Sequence, residues 1–401
     1  MKIHISENPC DFDISDVVLL GKRTNNPKRK FLFVSKLLGK HIPVNPAICK
    51  VAGYLLVALA YDLRFVTKMI ATDIKKGTLK SPEFYNVPAV EDKTIVLGFC
   101  ETATGLGMAV ASAIRGCVYQ ITTREEVMDV EQLFSFEEEH SHATTHRCYS
   151  SLNIDFNDFN SVTLVDDEIT TGNSMLNIIK EINKISGIKK YRILTILDWR
   201  DEEHLSKYET FCKENDIEIE VVAAIRGTIE NTSDKVYIDT EEPVEITEEN
   251  EPEIIGSLIG KVTYHNNEGK EVEYFSDSGR FGTTYNKIKD IDKDCALIAK
   301  KIDEIIDGEK KVLVMGHGEN IFIPSRIASM ISAEKVDFRT TSRSPIFVDG
   351  EIIKDKQCFY DRGVKYYFYN KKDAEEYDVV IMLTETPMNK KLCKNMITIQ
   401  L

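Results

Sequence analysis

Residues 161–174 read S-V-T-L-V-D-D-E-I-T-T-G-N-S. Val162, Leu164 and Val165 form a short apolar run without helical spacing, bounded by Asn157 and Asp158 before and Gly172 after, which predicts a buried parallel strand. Asp166 and Asp167 then fall at its carboxyl end, where open α/β sheets bind ligands. Two adjacent carboxylates accept hydrogen bonds from a vicinal diol without a metal. Thr170, Thr171, Gly172, Asn173 and Ser174 follow at once, and from Met175 the apolar residues Ile178, Ile179 and Ile182 take up helical spacing. The hydroxyl-rich loop therefore opens a helix, whose free amides and dipole suit a phosphate monoester. A diol beside a phosphate is a ribose 5-phosphate. A solvated strand end with an ordinary N-cap, or an acidic magnesium site, also places carboxylates here, but neither requires the T-T-G-N-S that follows.

A second stretch, residues 94–114, reads T-I-V-L-G-F-C-E-T-A-T-G-L-G-M-A-V-A-S-A-I. It predicts a strand at Ile95, Val96 and Leu97, a small-residue loop over 98–105, and an alanine-rich helix over 108–114. Glu101, Thr102, Ala103, Thr104 and Gly105 place backbone amides where they can wrap a diphosphate. A further strand ends in Arg124. Residues 134–151, F-S-F-E-E-E-H-S-H-A-T-T-H-R-C-Y-S-S, show no coherent apolar period and read as a long loop closing over the site. His140, His142, His146 and Arg147 in it are candidates for neutralising the leaving charge. After residues 191–197 come Asp198 and Trp199, the single tryptophan, as candidates for holding an aromatic base, a core tryptophan being the alternative.

Composition narrows the class. A chain of 401 residues has two to three domains as its prior. Its 65 acids against 51 bases give a net charge of −14, which argues against nucleic acid or an anionic membrane as partner. Nine cysteines occur without a C-x-x-C pair and read as reduced thiols of a cytoplasmic protein. The first residues carry Glu7, Asp11 and Asp13, unlike a secretory leader, and no apolar stretch approaches a membrane span. Between Asp16 and Asp62 there is no acid but eight bases, which suggests a local anion site, a solvated basic face being the alternative. Residues 230–253 hold ten acids and one lysine and read as an acidic linker or exposed hairpin.

The last third repeats the first at an offset of 218. Gly98 falls on Gly316, Glu101 on Glu319, Thr122 and Thr123 on Thr340 and Thr341, and residues 162–165 on 380–383. In this second copy Asp166 and Asp167 become Thr384 and Glu385, and the phosphate loop becomes Thr386-Pro387-Met388-Asn389, losing an amide and the hydroxyls. With so few residues after that strand, the second domain is expected to rely on the first to cover its sheet edge.

Together, G-F-C-E-T-A-T-G-L-G, E-E-H-S-H-A-T-T-H-R, V-D-D-E-I-T-T-G-N-S, L-D-W-R, G-H-G-E and T-T-S-R-S-P-I resemble the type I, orotate-like phosphoribosyltransferases of bacterial tellurite-resistance (Ter) operons, with their carboxyl-terminal TRSP domain. The resemblance implies a Rossmann-like α/β domain with a parallel sheet over residues 1–228, an acidic linker over 229–255, and a smaller, degenerate phosphoribosyltransferase-like α/β domain over 256–401. It implies transfer of 5-phosphoribosyl from phosphoribosyl diphosphate (PRPP) to a nucleobase-like acceptor with release of diphosphate. Mg²⁺ is expected on PRPP with no direct protein ligand, and the protein is expected to be a homodimer. Asp166, Asp167, Glu168, Arg124, His140 and His142 would serve catalysis. Residues 170–174 and 101–105 would hold PRPP, and Asp198 and Trp199 the base. The alternative is a non-catalytic PRPP-binding regulator of a stress-response operon.

Overall fold

The structure is a computed structural model describing residues 2–24, 26, 29–137, 145–230, 236–239, 242–256 and 258–401. It has two compact units: Met1–Phe12, Lys50–Thr232 and Gly260–Ile291 form one, and Asp13–Cys49, Ser233–Ile259 and Asp292–Leu401 the other. Each is assembled from separated segments, whereas the sequence reading divides the chain at two points. Both are mixed α/β.

The first unit is built on a seven-stranded sheet in the order Lys2–Glu7, Glu218–Glu230, Lys190–Asp198, Ser161–Ile169, Thr94–Gly98, Val118–Ile121 and Thr283–Thr284. The two outermost pairings are antiparallel and the four inner ones parallel. The inner strands read as unbroken apolar runs because both faces are covered: Val162, Leu164, Val165, Ile95, Val96, Leu97, Ile193 and Leu194 are all fully buried. From Thr94–Gly98 the chain moves outward to Val118–Ile121, and from Ser161–Ile169 it moves the opposite way to Lys190–Asp198. The strand order therefore reverses between these two central strands, and a crevice opens at their carboxyl ends.

In the second unit the order is Glu253–Ile254, Met396–Gln400, Val379–Thr384, Lys311–Gly316 and Lys335–Thr340, all parallel. Adding 218 to 94–98, 118–121 and 161–166 lands on or inside the strands at 311–316, 335–340 and 379–384, and the helix Ala103–Ala111 lands on Phe322–Ala328. Chain offset and sheet order thus agree. Residues 385–395 join two neighbouring strands without a helix, where the first unit has the thirteen-residue helix Asn173–Ile185.

Three expectations change. The acidic stretch is not a free linker: Val244–Glu245 and Glu253–Ile254 pair with strands of the second unit, and Ile246 is buried. Its acids meet lysines there, with Asp239–Lys356 at 2.5 Å, Glu249–Lys390 at 3.2 Å and Glu248–Lys391 at 3.4 Å. The second sheet accordingly has cover from its own unit, from Glu253–Ile254 on one edge and from a bridge between Val44 and Phe338 on the other. Most of the basic window likewise belongs to this second unit, as the hairpin Val18–Lys22 and Phe31–Ser35, with the Lys22 ammonium 5.6 Å from the Tyr237 ring.

Candidate active site

The strand Ser161–Ile169 outruns one neighbour and not the other. Its pairing with Thr94–Gly98 stops at Val165–Gly98, while pairing with Lys190–Asp198 continues to Ile169–Asp198. Asp166, Asp167 and Glu168 therefore lie within the strand, not beyond it, in the part that runs on past the end of the next strand. All three are half-buried. The Asp167 amide donates to Asp166 Oδ1 at 2.9 Å. Burial, and then the adjacent Asp167 charge, push the Asp166 carboxyl well above the usual carboxylate range.

The loop that follows is shaped by Gly172. Its φ is +73°, and a Cβ there would meet Tyr208 Oη at 2.2 Å. Tyr208 Oη donates to the Gly172 carbonyl at 2.8 Å. Thr170, Thr171, Asn173 and Ser174 are half-buried around it, with the helix Asn173–Ile185 beginning at once. The Thr171 hydroxyl accepts from the Asn173 amide at 3.3 Å. The amides at the head of a thirteen-residue helix and the hydroxyls beside them suit a phosphate group. Gly172→Ala is expected to lower stability by about 1–3 kcal/mol, the cost of an αL side chain plus the clash, read by urea unfolding. An unchanged midpoint would show that the loop relaxes freely.

On the other side of the crevice, the loop after Thr94–Gly98 is shorter than the sequence indicates. The helix starts at Ala103, so Ala103, Thr104 and Gly105 lie in its first turns and only residues 99–102 form the loop. The reason is packing: all nine helix residues are buried, and a Cβ on Gly107 would lie 2.9 Å from the Gly98 Cα. Small residues there bring helix and strand together. The Cys100 amide donates to Thr122 Oγ1 at 3.0 Å, and Thr104 Oγ1 donates to the Glu101 carbonyl at 3.0 Å. Glu101 and Thr102 are buried. Arg124 is half-buried just past the strand Val118–Ile121.

The expected long loop is a hairpin in its described part. Glu131–Glu137 pairs antiparallel with Thr145–Ser150. A period of two was present in the sequence: Phe134 and Phe136 on one strand and His146, Cys148 and Ser150 on the other are buried. His146 is a core residue, its Nδ1 lying 3.3 Å from Thr122 Oγ1 and 3.4 Å from Cys100 Sγ. Arg147 pairs by its backbone with Thr123 and approaches Glu126 at 3.7 Å. His140 and His142 lie outside the described residues.

Asp198 is fully buried and already engaged. Arg200 donates to both its oxygens, at 2.9 and 2.8 Å, and Arg226 to one of them at 3.0 Å. Burial disfavours this carboxylate, but the bonds and charge of Arg200, with Arg226, outweigh it and hold it below the usual range. A carboxylate so paired is no proton acceptor. The Arg200 guanidinium lies 4.3 Å from the Tyr208 ring, so the network runs from Asp198 through Arg200 and Tyr208 to the Gly172 carbonyl. Trp199 is also buried, its amide bonded to the Ile169 carbonyl at 2.8 Å. Neither residue stands open to a base. Sequence reasoning gave no role to Arg200, two positions away, and missed Arg226 and Tyr208, because only the closed fold brings Arg226, 28 positions away, onto this carboxylate and Tyr208 onto the Gly172 carbonyl.

Two large cavities of the first unit lie away from the acids. One of about 780 Å³ runs between the helices Asn173–Ile185 and Glu202–Asn215, lined by Asn173, Lys180, His204 and Lys207. The other, about 580 Å³, is lined by Asp11, Arg64, Lys68 and Lys75. No described helix is long and apolar enough to cross a membrane. Among the described residues no three His, Cys, Asp or Glu side chains converge on a possible metal site.

No curated protein matches the chain. Solved structures similar to it include adenine phosphoribosyltransferase from Trypanosoma brucei, in complex with AMP, pyrophosphate and ribose-5-phosphate, at 15% identity and TM-score 0.32, covering 52% of this chain and 76% of that one. APRTase from Giardia lamblia, complexed with 9-deazaadenine, is 14% identical with TM-score 0.29, covering 55% and 98%. Leishmania donovani UMP synthase is 14% identical with TM-score 0.25, covering 52% of this chain and 34% of that one. Residues 277–400 match the family described as the TRSP domain C terminus to PRTase_2. Residues 17–228, more than half of the chain, match the PRTase_2 family, and the protein accordingly belongs to the phosphoribosyl transferases.

Proposed function

We propose that the protein transfers the 5-phosphoribosyl group of PRPP to a nitrogen of a nucleobase-like acceptor and releases diphosphate. The observation that carries this is the pair of loops flanking one strand-order reversal: an acid pair followed by a helix-capping T-T-G-N-S, opposite a small-residue loop that also opens a helix. Asp166 and Asp167 take the ribose hydroxyls. Residues 170–174 take the 5-phosphate, and the amides of 101–105 take the diphosphate. As the C1–diphosphate bond lengthens, positive charge grows on the ribose and negative charge on the leaving group. The site lowers the barrier by holding both partners in line and by neutralising the diphosphate. Arg124, His140 and His142 are assigned to that neutralisation, and Glu168 to accepting the acceptor's proton. Asp198 positions the phosphate loop through Arg200 and Tyr208.

Mg²⁺ belongs with the substrate in this reading. It favours substrate phosphates over an all-protein cage, and a crevice that presents a diphosphate loop fits that habit without a direct protein ligand. When bound, it supplies charge neutralisation on the diphosphate. The unit of residues 1–12, 50–232 and 260–291 acts as the transferase module and the unit of 13–49, 233–259 and 292–401 as a degenerate copy, with dimerisation expected in solution. The product is a nucleotide, the precursor of a nucleoside-like metabolite, made in the cytoplasm as part of a tellurite-type stress response.

The test is incubation with PRPP, Mg²⁺ and a panel of purines, pyrimidines and orotate-like acids, following diphosphate release. Release with one acceptor class supports the transferase. PRPP binding without turnover on any acceptor supports instead a regulator that keeps the sugar-phosphate pocket. Light scattering at micromolar concentration checks the dimer, and a fully active monomer removes it.

A further inference from the structure

Lys207 and Tyr208, consecutive residues of the helix Glu202–Asn215, each hold one residue of the loop assigned to the 5-phosphate. Tyr208 Oη donates to the Gly172 carbonyl at 2.8 Å, and the Lys207 ammonium donates to Asn173 Oδ1 at 2.5 Å. Tyr208 is buried and its bond serves the shape of the loop, whereas Lys207 is exposed. Asn173 is the one hydrogen-bond or ion-pair partner of this ammonium among the described residues. Asn173 also opens the helix Asn173–Ile185, so the ammonium stands at the positive end of a helix dipole, where a cation is disfavoured. No acid lies in the first turn of that helix to offset it, and Gly172 at the capping position has no side chain to do so. A cation facing a helix head becomes a favourable arrangement when an anion joins both.

The charges on neighbouring residues point the same way. Residues 170–174 are uncharged, and Asp166, Asp167 and Glu168 precede them on the strand Ser161–Ile169. A phosphate monoester carries a charge of about −1.5 to −2 at pH 7, so holding it on neutral donors beside three acids calls for a cation. Arg200 does not supply it, because both oxygens of Asp198 hold its guanidinium. Lys207 is placed to do so: with Asn173 it lines a cavity of about 780 Å³, in which the ammonium has room to turn. Lys180 lines the same cavity but lies about two turns along the helix from Asn173, its ammonium 5.7 Å from the Phe211 ring, and is the natural control.

We propose that Lys207 is the cation of the 5-phosphate site, its ammonium turning from Asn173 to the phosphate oxygens as the sugar phosphate binds. The proposal rests on the assignment of residues 170–174 to the 5-phosphate and adds to it what sets a phosphate apart from a hydroxyl. Amides and threonine hydroxyls donate to either group, whereas an ammonium favours the charged one. Lys207 is thus a specificity residue, through which ribose 5-phosphate is held and D-ribose is not.

The test titrates the full chain by calorimetry with ribose 5-phosphate, D-ribose and diphosphate with Mg²⁺, each at low and high salt. Lys207→Gln is expected to weaken ribose 5-phosphate about ten- to hundredfold, the loss of one charge-assisted hydrogen bond, and to flatten its salt dependence. Diphosphate binding stays as in the parent. Lys207→Arg keeps most of the affinity for ribose 5-phosphate, and Lys180→Gln keeps all of it. Without ligand the Tm of Lys207→Gln is unchanged or higher, because a cation has left a helix head. Equal affinity of Lys207→Gln and the parent for ribose 5-phosphate overturns the inference and leaves the reading of the crevice intact. Equal weakening of ribose 5-phosphate and diphosphate, or a lower Tm without ligand, also overturns it, since Lys207 would then serve the fold. If the parent itself binds no ribose 5-phosphate, the sugar-phosphate assignment fails and the role of Lys207 with it.

Discussion

Replacing Asp166 and Asp167 together by asparagine is expected to lower PRPP-dependent diphosphate release by about 10²–10⁴-fold, while the fold persists and gains a little stability near neutral pH. Each carboxylate hydrogen bond to a ribose hydroxyl is charge-assisted and contributes about 1.5–3 kcal/mol, and an amide replaces only part of it. The gain in stability follows from linkage. Between the ordinary aspartate value and the raised value in the folded protein, the native state keeps a proton that the unfolded chain has released. Stability therefore falls as pH rises through that interval and levels off above it. Removing the Asp166 carboxyl removes this loss, a trade of stability for function seen at many sites. Kinetics with PRPP, together with urea unfolding from pH 4 to 8, measures both effects. Unchanged PRPP affinity in the double variant would sink the ribose assignment.

Asp198→Ala is expected to destabilise the first unit by about 3–5 kcal/mol, the usual result of removing one partner of a buried ion pair. Arg200, whose side chain is only 3% exposed, and Arg226 would lose their shared carboxylate. The native carboxylate's contribution is present above the ordinary aspartate range and is lost as pH falls through its depressed folded value, so the wild type gains over the variant as pH rises from the acid side. Activity falls as well, because Arg200 orients Tyr208 against the Gly172 carbonyl. Urea midpoints and kcat/KM distinguish two roles. A variant with the parental midpoint but no activity would return Asp198 to direct contact with the base.

The motif V-D-D-E-I-T-T-G-N-S by itself determined the central strand and the helix behind it, because an apolar run and helical spacing are local properties written within a few residues. The offset of 218 likewise announced a second sheet, since a repeated βα pattern has one compact solution. Other features depended on long-range contact. The helix at Ala103 begins where it does because Gly98 and Gly107 allow helix and strand to touch. Phe134, Phe136, His146 and Cys148 became a hairpin because two period-two strands, each too short to decide alone, pair across the gap. The acidic stretch joined a sheet because lysines more than a hundred positions away lie opposite its carboxylates. Asp198, read as facing a base, was drawn inside by Arg200 and Arg226. A buried charge takes whichever partners the closed sheet supplies, and sequence spacing does not reveal which strand end will supply them.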